Sequence, residues 1–314
     1  MEIVVKQSHQ CQCQSTAKGA LDLIRLAPLE GFSVLERQDL APKIHLLRIT
    51  APAIARKAKA GQFVIIRTDE TGERIPLTIA DWNQDNGDIT VVFMEVGAST
   101  MMMATIGVED CVKDVVGPLG VPSHIENFGS VVCVAGGVGV APMVPIARAL
   151  KQAGNKVTSI MGARSYNMLF WEERLDNFSD RLIVTTDDGS YGRKGLVTEP
   201  LAELLQNETA DRVIAIGPSI MMKFCAKCTE PFGVKTIASL NTIMVDGTGM
   251  CGCCRVNVGD ATKFACVDGP EFDAHQIDWD LVLARQRTYL EKENQALKDS
   301  KWRAFEKTLV SIRE

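Results

Sequence analysis

The stretch 130–154 constrains this chain most. Residues 130–135 form an unbroken apolar run. Gly136, Gly137 and Gly139 follow at once, and 141–154 reads as a helix with Pro142 in its first turn and Gly154 at its end. A buried strand that turns through glycines into a helix is the unit of a parallel sheet covered on both faces. Glycines there let a backbone approach a pyrophosphate, and the helix N-terminus offers free N–H groups. Pro142 sacrifices no hydrogen bond at that position. A plain tight strand–helix turn is the alternative, because Pro142 stands where G-x-G-x-x-G has its third glycine. Gly, Pro and Arg148 interrupt the run too often for a membrane span.

The pattern continues to about residue 240. Strands are expected at 156–161, 181–186, 212–216 and 236–240, with helical patterns at 170–176 and 197–206. The loops at the carboxyl ends of these strands carry Arg164, Asp187, Gly217 and Pro218, where ligands bind in open α/β sheets. Arg164 suits either a phosphate or 2′ group of a dinucleotide, or a surface ion pair.

Residues 32–129 read differently. Short runs rich in Ile, Val, Leu and Thr at 43–50, 62–67, 75–80, 88–96 and 111–116, separated by turn residues, predict a small β-barrel, with one short helix at 99–105. Within it, Arg74-Ile75-Pro76-Leu77-Thr78 places a guanidinium and a hydroxyl on one strand, suited to a diphosphate and the edge of a flat ring. Gly97, Ser99 and Thr100 are a second candidate phosphate cradle. Taken singly, each is also an ordinary strand end or helix cap.

Six of the ten cysteines lie after residue 220. Asp246, Cys251, Cys254 and Cys266 have the spacing D-x4-C-x2-C-x11-C, which is the C-x4-C-x2-C…C of a plant-type [2Fe–2S] site with Asp in the first slot. Gly247, Gly249 and Gly252 let that loop wrap. Zinc on Cys₃Asp is the metal alternative, although only one C-x2-C arm is present. Cys253 adjoins Cys254 and reads as a non-ligand, with a fourth-ligand role as its alternative. Cys225 and Cys228 fall in a helical run, 219–228, and read as packing. Cys11 and Cys13 read as tail. Residues 241–276 have too little apolar content for their own core, so a metal centre is expected to organise them. Segment 277–314 reads as a charged helix or helix pair docked through Leu281, Leu283, Tyr289, Leu290 and Leu297. Residues 1–31 form an N-terminal extension.

The 34 basic and 39 acidic residues give a net charge of −5, with no basic footprint for nucleic acid or a lipid surface. The start lacks a signal-peptide pattern, so a cytoplasmic, reducing compartment is expected, with no nucleic-acid or membrane partner. The four histidines are scattered and take no catalytic role.

The ordered set R-I-P-L-T, A-G-G-V-G-V-A-P, Gly217-Pro218 and the cysteine loop resembles the ferredoxin reductase-like superfamily over about residues 32–293. Within it the chain is similar to the dihydroorotate dehydrogenase electron-transfer subunit family. Asp246, where dihydroorotate-type members carry Cys, favours the bifurcating branch, the small subunits of NADH-dependent reduced ferredoxin:NADP oxidoreductases. The resemblance implies an α/β plus β-barrel fold with four parts: an FAD barrel (32–129), a nicotinamide-nucleotide domain (130–240), a [2Fe–2S] module (241–276) and a C-terminal helical segment. It puts FAD on Arg74, Leu77 and Thr78, beside the candidate positions Pro76, Gly97, Ser99 and Thr100. NAD(H) falls on Gly137, Gly139 and Pro142, beside the candidate positions Ala141, Arg164, Asp187, Gly217 and Pro218, and the cluster on Asp246, Cys251, Cys254 and Cys266.

The expected activity is hydride exchange with NAD(H) at FAD. Electrons then pass through the cluster to a larger flavin and [4Fe–4S] subunit, and indirectly to ferredoxin and NADP(H). The alternatives are the electron-transfer subunit of a dihydroorotate dehydrogenase, hydrogenase or sulfur reductase, and, in a different class, a zinc-bound adaptor without catalysis.

Overall fold

The computed structural model describes residues 31–70 and 72–298. Cys11, Cys13, most of the N-terminal extension and residues 299–314 lie outside them. Among the described residues no helix is long and apolar enough to cross a membrane.

Seven antiparallel strands build the first sheet: β1 (Phe32–Ala41), β2 (Ile44–Thr50), β3 (Phe63–Arg67), β4 (Ile75–Asn83), β5 (Asp88–Met94), β6 (Cys111–Val112) and β7 (Asp114–Leu119), in the order β6-β1-β2-β5-β4-β3-β7. The sheet curls around Leu47, Ile49, Val64, Ile66, Ile79, Val91 and Phe93, all buried. Helix α1 (Pro52–Ala55) bridges β2 and β3, and Met103 of α2 (Ala98–Met103) enters this core.

Two expectations change here. The single strand expected at 111–116 is broken at Lys113, whose N–H donates to Thr68 O at 3.1 Å. The halves pair with opposite edges, β6 with β1 and β7 with β3, so one segment passes from one rim of the half-barrel to the other. The ten-residue β1 is an addition. Its polar run at 36–39 lacks an apolar period, and two irregularities in its pairing with β2 shift the alternation.

The second sheet carries β8 (Ser130–Gly136), α3 (Val140–Gln152), β9 (Lys156–Ala163), α4 (Glu172–Asp176), β10 (Arg181–Thr186), β11 (Arg193–Lys194), α5 (Thr198–Asn207), β12 (Arg212–Ile216), α6 (Ser219–Thr229) and β13 (Lys235–Ser239). Its order is β11-β10-β9-β8-β12-β13-β16, where β16 (Glu271–Asp273) comes from the cysteine-rich segment and pairs antiparallel with β13. The other pairings are parallel. After β8 the chain builds outward through β9, β10 and β11, then returns to place β12 on the other side. The strand order therefore reverses between β8 and β12, and a crevice opens there at the carboxyl ends. Gly154, at φ +89°, ends α3 as expected. Helix α4 starts two residues later than expected, because Trp171 before it adopts φ +57°.

Residues 241–278 form a glycine-rich loop and a hairpin, β14 (Arg255–Val258) and β15 (Ala261–Phe264), followed by α7 (Trp279–Gln286) and α8 (Leu290–Lys298). The segment shares a core rather than having its own: Cys254, Val256, Ala265, Cys266 and Phe272 pack with Phe63, Ile65 and Leu119 of the half-barrel and with Met222 of α6. Helix α7 docks through Trp279 and Val282. The stripe expected from Leu281, Leu283, Tyr289, Leu290 and Leu297 does not form, since Tyr289, Leu290 and Leu297 are exposed.

Candidate cofactor sites

The glycine loop lies at the switch crevice. A Cβ on Gly139 would stand 2.4 Å from Ile216 O and 3.0 Å from Gly217 Cα, and one on Gly217 would stand 3.0 Å from Gly136 O. These glycines let the loop after β8 press backbone to backbone on the loop after β12. Gly137 is different: it has φ +55° and open space where a Cβ would be. Gly137 therefore presents bare backbone to the crevice, while Gly139 serves close packing of the protein itself. Ala141 is buried and Pro142 half-buried in the first turn of α3. Pro218 precedes α6, and Ser219 Oγ donates to Asn241 Oδ1 at 2.7 Å.

Arg164 and Asp187 are exposed on adjacent loops after β9 and β10, joined by Asp187 N–H to Ala163 O at 3.0 Å and Asp188 N–H to Arg164 O at 3.2 Å. Tyr166 and Tyr191, unremarked in the sequence, pair on the same rim with ring centroids 5.3 Å apart.

In the half-barrel, Arg74 is exposed immediately before β4, on which Pro76, Leu77 and Thr78 are half-buried. Ser99 Oγ donates to Glu73 Oε2 at 3.0 Å, so the two candidate cradles are neighbours. The Thr100 hydroxyl is committed: it accepts from the N–H groups of Val96 and Gly97 at 2.9 and 3.1 Å and donates to Gly97 O at 3.0 Å. It shapes the loop and does not supply a free donor, whereas Gly97 faces open space. Behind this loop is a further feature without a sequence signal. The buried His45 ring stands 2.6 Å from Asp39 Oδ1 at Nδ1 and 2.6 Å from Glu95 Oε1 at Nε2.

The half-barrel meets the second sheet through Arg148 of α3, whose Nη1 donates to Asp81 Oδ1 at 3.0 Å and whose guanidinium lies 5.3 Å from the Trp82 ring centroid. β4 thus runs from the candidate diphosphate site to the helix that begins at the glycine loop.

The cysteine loop sits on the half-barrel rim. Gly247, at φ +82°, lies where a Cβ would be 2.8 Å from Leu119 Cδ1 and 3.1 Å from Ile65 Cγ1. Cys254 and Cys266 are buried with sulfurs 3.2 Å apart and unbonded. Burial, with the Cys254 thiol beside it, pushes Cys266 up to about 12, while the Gly249 N–H acts in the opposite sense. The Cys266 thiol gives up its proton readily only to a cation that binds it. Cys251 is exposed, and N–H donation from Cys253 lowers its pKa against the opposing effect of burial, with the Asp246 N–H adding a lesser lowering. The Asp246 carboxylate accepts from the Thr248 N–H and hydroxyl, both at Oδ2, which leaves Oδ1 unbonded among the described residues.

Buried sulfurs, N–H groups aimed at sulfur and an available carboxylate oxygen fit a cluster. Among the described residues no three His, Cys, Asp or Glu side chains are drawn together around one point, for zinc or for a cluster alike. Cys253 is half-buried beside Cys251. Cys225 is buried in α6 and raised to about 12 by burial, and Cys228 Sγ contacts Thr198 O at 3.7 Å, so both pack as expected.

A half-barrel joined to a parallel sheet with a glycine-lined switch crevice, carrying a cysteine loop, defines a ferredoxin reductase-like oxidoreductase with an iron–sulfur module. Residues 133–227 match the oxidoreductase NAD-binding domain, and 241–278 match the iron-sulfur cluster binding domain of dihydroorotate dehydrogenase B. A Thermotoga maritima dihydroorotate dehydrogenase B (NAD(+)) electron transfer subunit homolog is 47% identical over 260 residues, 83% of this chain and 92% of its own length. A chain of the solved NADH-dependent reduced ferredoxin-NADP oxidoreductase, from work on flavin-based electron bifurcation, is 46% identical. It superposes with a TM-score of 0.82 over 85% of this chain and 97% of its own. A ferredoxin NADP+ reductase from Neisseria gonorrhoeae, 17% identical with a TM-score of 0.53 over 64% of this chain and 90% of its own, shares the fold. The chain belongs to the dihydroorotate dehydrogenase B electron-transfer subunit family.

Proposed function

We propose that this chain exchanges hydride with NAD(H) at an FAD held by residues 32–129, and passes the electrons through a [2Fe–2S] cluster. The acceptor is a larger flavin and [4Fe–4S] subunit of an electron-bifurcating ferredoxin:NADP transhydrogenase. One observation carries this reading. The three candidate sites share one half-barrel: Arg74 to Thr78 on β4, the glycine loop on the helix tied to β4 by Arg148 and Asp81, and the cysteine loop seated on Leu119 and Ile65. When bound, a flavin takes up a hydride and gives up electrons singly, which a two-iron cluster carries one at a time.

The side chains of this chain bind and orient. Arg74 neutralises the flavin diphosphate, and Pro76, Leu77 and Thr78 fix the edge of the ring. Gly97 leaves open space beside it, and Ser99, its hydroxyl held by Glu73, borders that space. Gly137 and the first turn of α3, with Ala141 and Pro142, take the nucleotide pyrophosphate. Arg164 and Asp187, on the adjoining loops, would contact the rest of the dinucleotide, and Gly217 and Pro218 wall the crevice. Asp246, Cys251, Cys254 and Cys266 hold the cluster. No side-chain acid or base is needed.

The purified chain should show flavin and iron–sulfur absorbance and reduce small dyes with NADH. It should perform ferredoxin-linked transhydrogenation only with the larger subunit added. A colourless chain that neither binds nor oxidises NADH would sink the proposal. The match of residues 241–278 supports a second reading, the electron-transfer subunit of a dihydroorotate dehydrogenase. NAD-linked dihydroorotate oxidation by the complex purified with its natural partner would decide for it.

A further inference from the structure

The guanidinium of Arg285, in the last turn of α7, donates from Nη2 to the carbonyl oxygen of Cys253 at 2.9 Å. Arg255 donates from Nη1 to the carbonyl of Gly252 at 3.1 Å. Two positive charges therefore grip consecutive carbonyls of the loop immediately before the buried Cys254. Among the described residues neither arginine makes an ion pair, unlike Arg148, Arg181 and Arg193. They line a cleft of about 170 Å³ between the loop and α7, together with Thr242, Gln286, Thr288 and Tyr289, and no carboxylate lines it.

The position of Arg285 is fixed rather than incidental. Val282, one turn earlier on α7, packs in the same core as Cys254 and Cys266. The Trp279 indole N–H donates to Ala274 O at 2.9 Å. Gln286, the next residue, donates to Ser219 Oγ and Asn241 Oδ1 at 2.8 and 2.9 Å, anchoring the helix end on the second sheet.

We propose that Arg285 sets the reduction potential of the iron–sulfur cluster, holding a positive charge, unpaired among the described residues, against the loop that binds it. The inference rests on the cluster reading of residues 246–266. Reduction adds one electron to the cluster, and a nearby fixed cation stabilises the more negative form. Arg285 is a tuning residue: it touches the ligand loop, not the cluster. Its half-buried side chain is screened less than a fully exposed one.

The test uses the full chain purified with its cofactors and scores two readouts separately. Iron content and the electron paramagnetic resonance signal of the reduced protein report whether the cluster is present. Potentiometric titration of that signal reports its potential. Arg285→Gln should keep iron and signal and move the potential to more negative values, and Arg285→Lys should restore it toward wild type. An unchanged potential in an iron-replete Arg285→Gln protein would overturn the proposal. If Arg285→Gln loses its iron, Thr288→Glu decides, because it adds to the same cleft a carboxylate that offsets the charge of Arg285 while keeping its side chain: a negative shift supports the proposal, and none overturns it. Absence of iron in the wild type would instead defeat the cluster reading.

Discussion

The sulfurs of Cys254 and Cys266 stand 3.2 Å apart, buried and without a bond between them, although twelve positions separate them in the chain. The β14–β15 hairpin makes this possible by folding residues 255–264 back on themselves, so that Ala265 N–H reaches Cys254 O at 3.1 Å. Cys254→Ser or Cys266→Ser should abolish cluster retention, while Cys253→Ala keeps it. Asp246→Cys should retain a [2Fe–2S] cluster with all-thiolate spectra. Iron per chain and the electron paramagnetic resonance spectrum measure all four. Loss of iron in Cys253→Ala alongside an unaltered Asp246→Ala would reassign the fourth ligand.

Arg74→Ala should weaken flavin retention. A charge-assisted contact to a diphosphate contributes roughly 1.5–3 kcal/mol, or about ten- to a hundredfold in affinity. Flavin-to-protein ratio after dilution and gel filtration is the readout. Thr100→Ala should also lose flavin, by loosening the 96–100 loop that its hydroxyl closes.

Gly139→Val should act as a folding defect, because the added side chain meets the backbone of Ile216 and Gly217. Its thermal transition should fall along with cofactor content. Arg164→Ala should leave the transition in place and raise the KM for NADH. Equal melting temperatures for wild type and Gly139→Val would contradict the packing role.

Glu271 carries a stability signature. Burial raises its carboxyl pKa, and the hydrogen bond from Ser123 and the charge of Arg212 only partly oppose that. The folded chain therefore holds a proton more tightly than the unfolded one. This stabilisation is complete below the ordinary carboxylate pKa and is lost as pH rises through the raised value. Glu271→Gln should melt higher than wild type at pH 8, by about 2–4 °C for each kcal/mol, and the gap should close toward pH 4. Melting curves across that range would expose a flat difference if the carboxyl were solvated.

Met250, at the tip of the cysteine loop, is 89% exposed beside the exposed Cys251. Under the proposed function it belongs to the contact with the larger subunit. Met250→Asp should weaken that association at least about fivefold, as losing a central apolar contact costs more than about 1 kcal/mol, while NADH-to-dye activity persists. Titration calorimetry with the isolated partner would measure it.

Strands β8, β9, β10, β12 and β13 were legible because each is a short apolar run bounded by turn residues, and the glycine loop was legible from composition alone. The spacing of Asp246, Cys251, Cys254 and Cys266 was equally local. β1 escaped because a half-exposed strand with charged residues at 36–37 has no uniform period. The hairpin of β14 and β15 escaped because exposed residues fill β15 and only Val256 of β14 is fully buried. Glu73 with Ser99, His45 with Glu95, and Arg285 with Cys253 are pairs 26, 50 and 32 residues apart, joined only once the sheets are assembled. Gly139 was legible as a required glycine but not for its reason, since nothing in the strand–turn–helix pattern reveals that the loop after β12 lies against it.

The pairing of β16 with β13 gives the cysteine-rich segment a second duty. A chain cut after Leu240 would end with β13 as an open border, its unpaired N–H and C=O groups able to recruit the same border of another molecule. The nucleotide portion is therefore a poor candidate for expression by itself. Self-association of the shortened product, and its cure by returning residues 241–278, would follow from that missing strand rather than from missing iron.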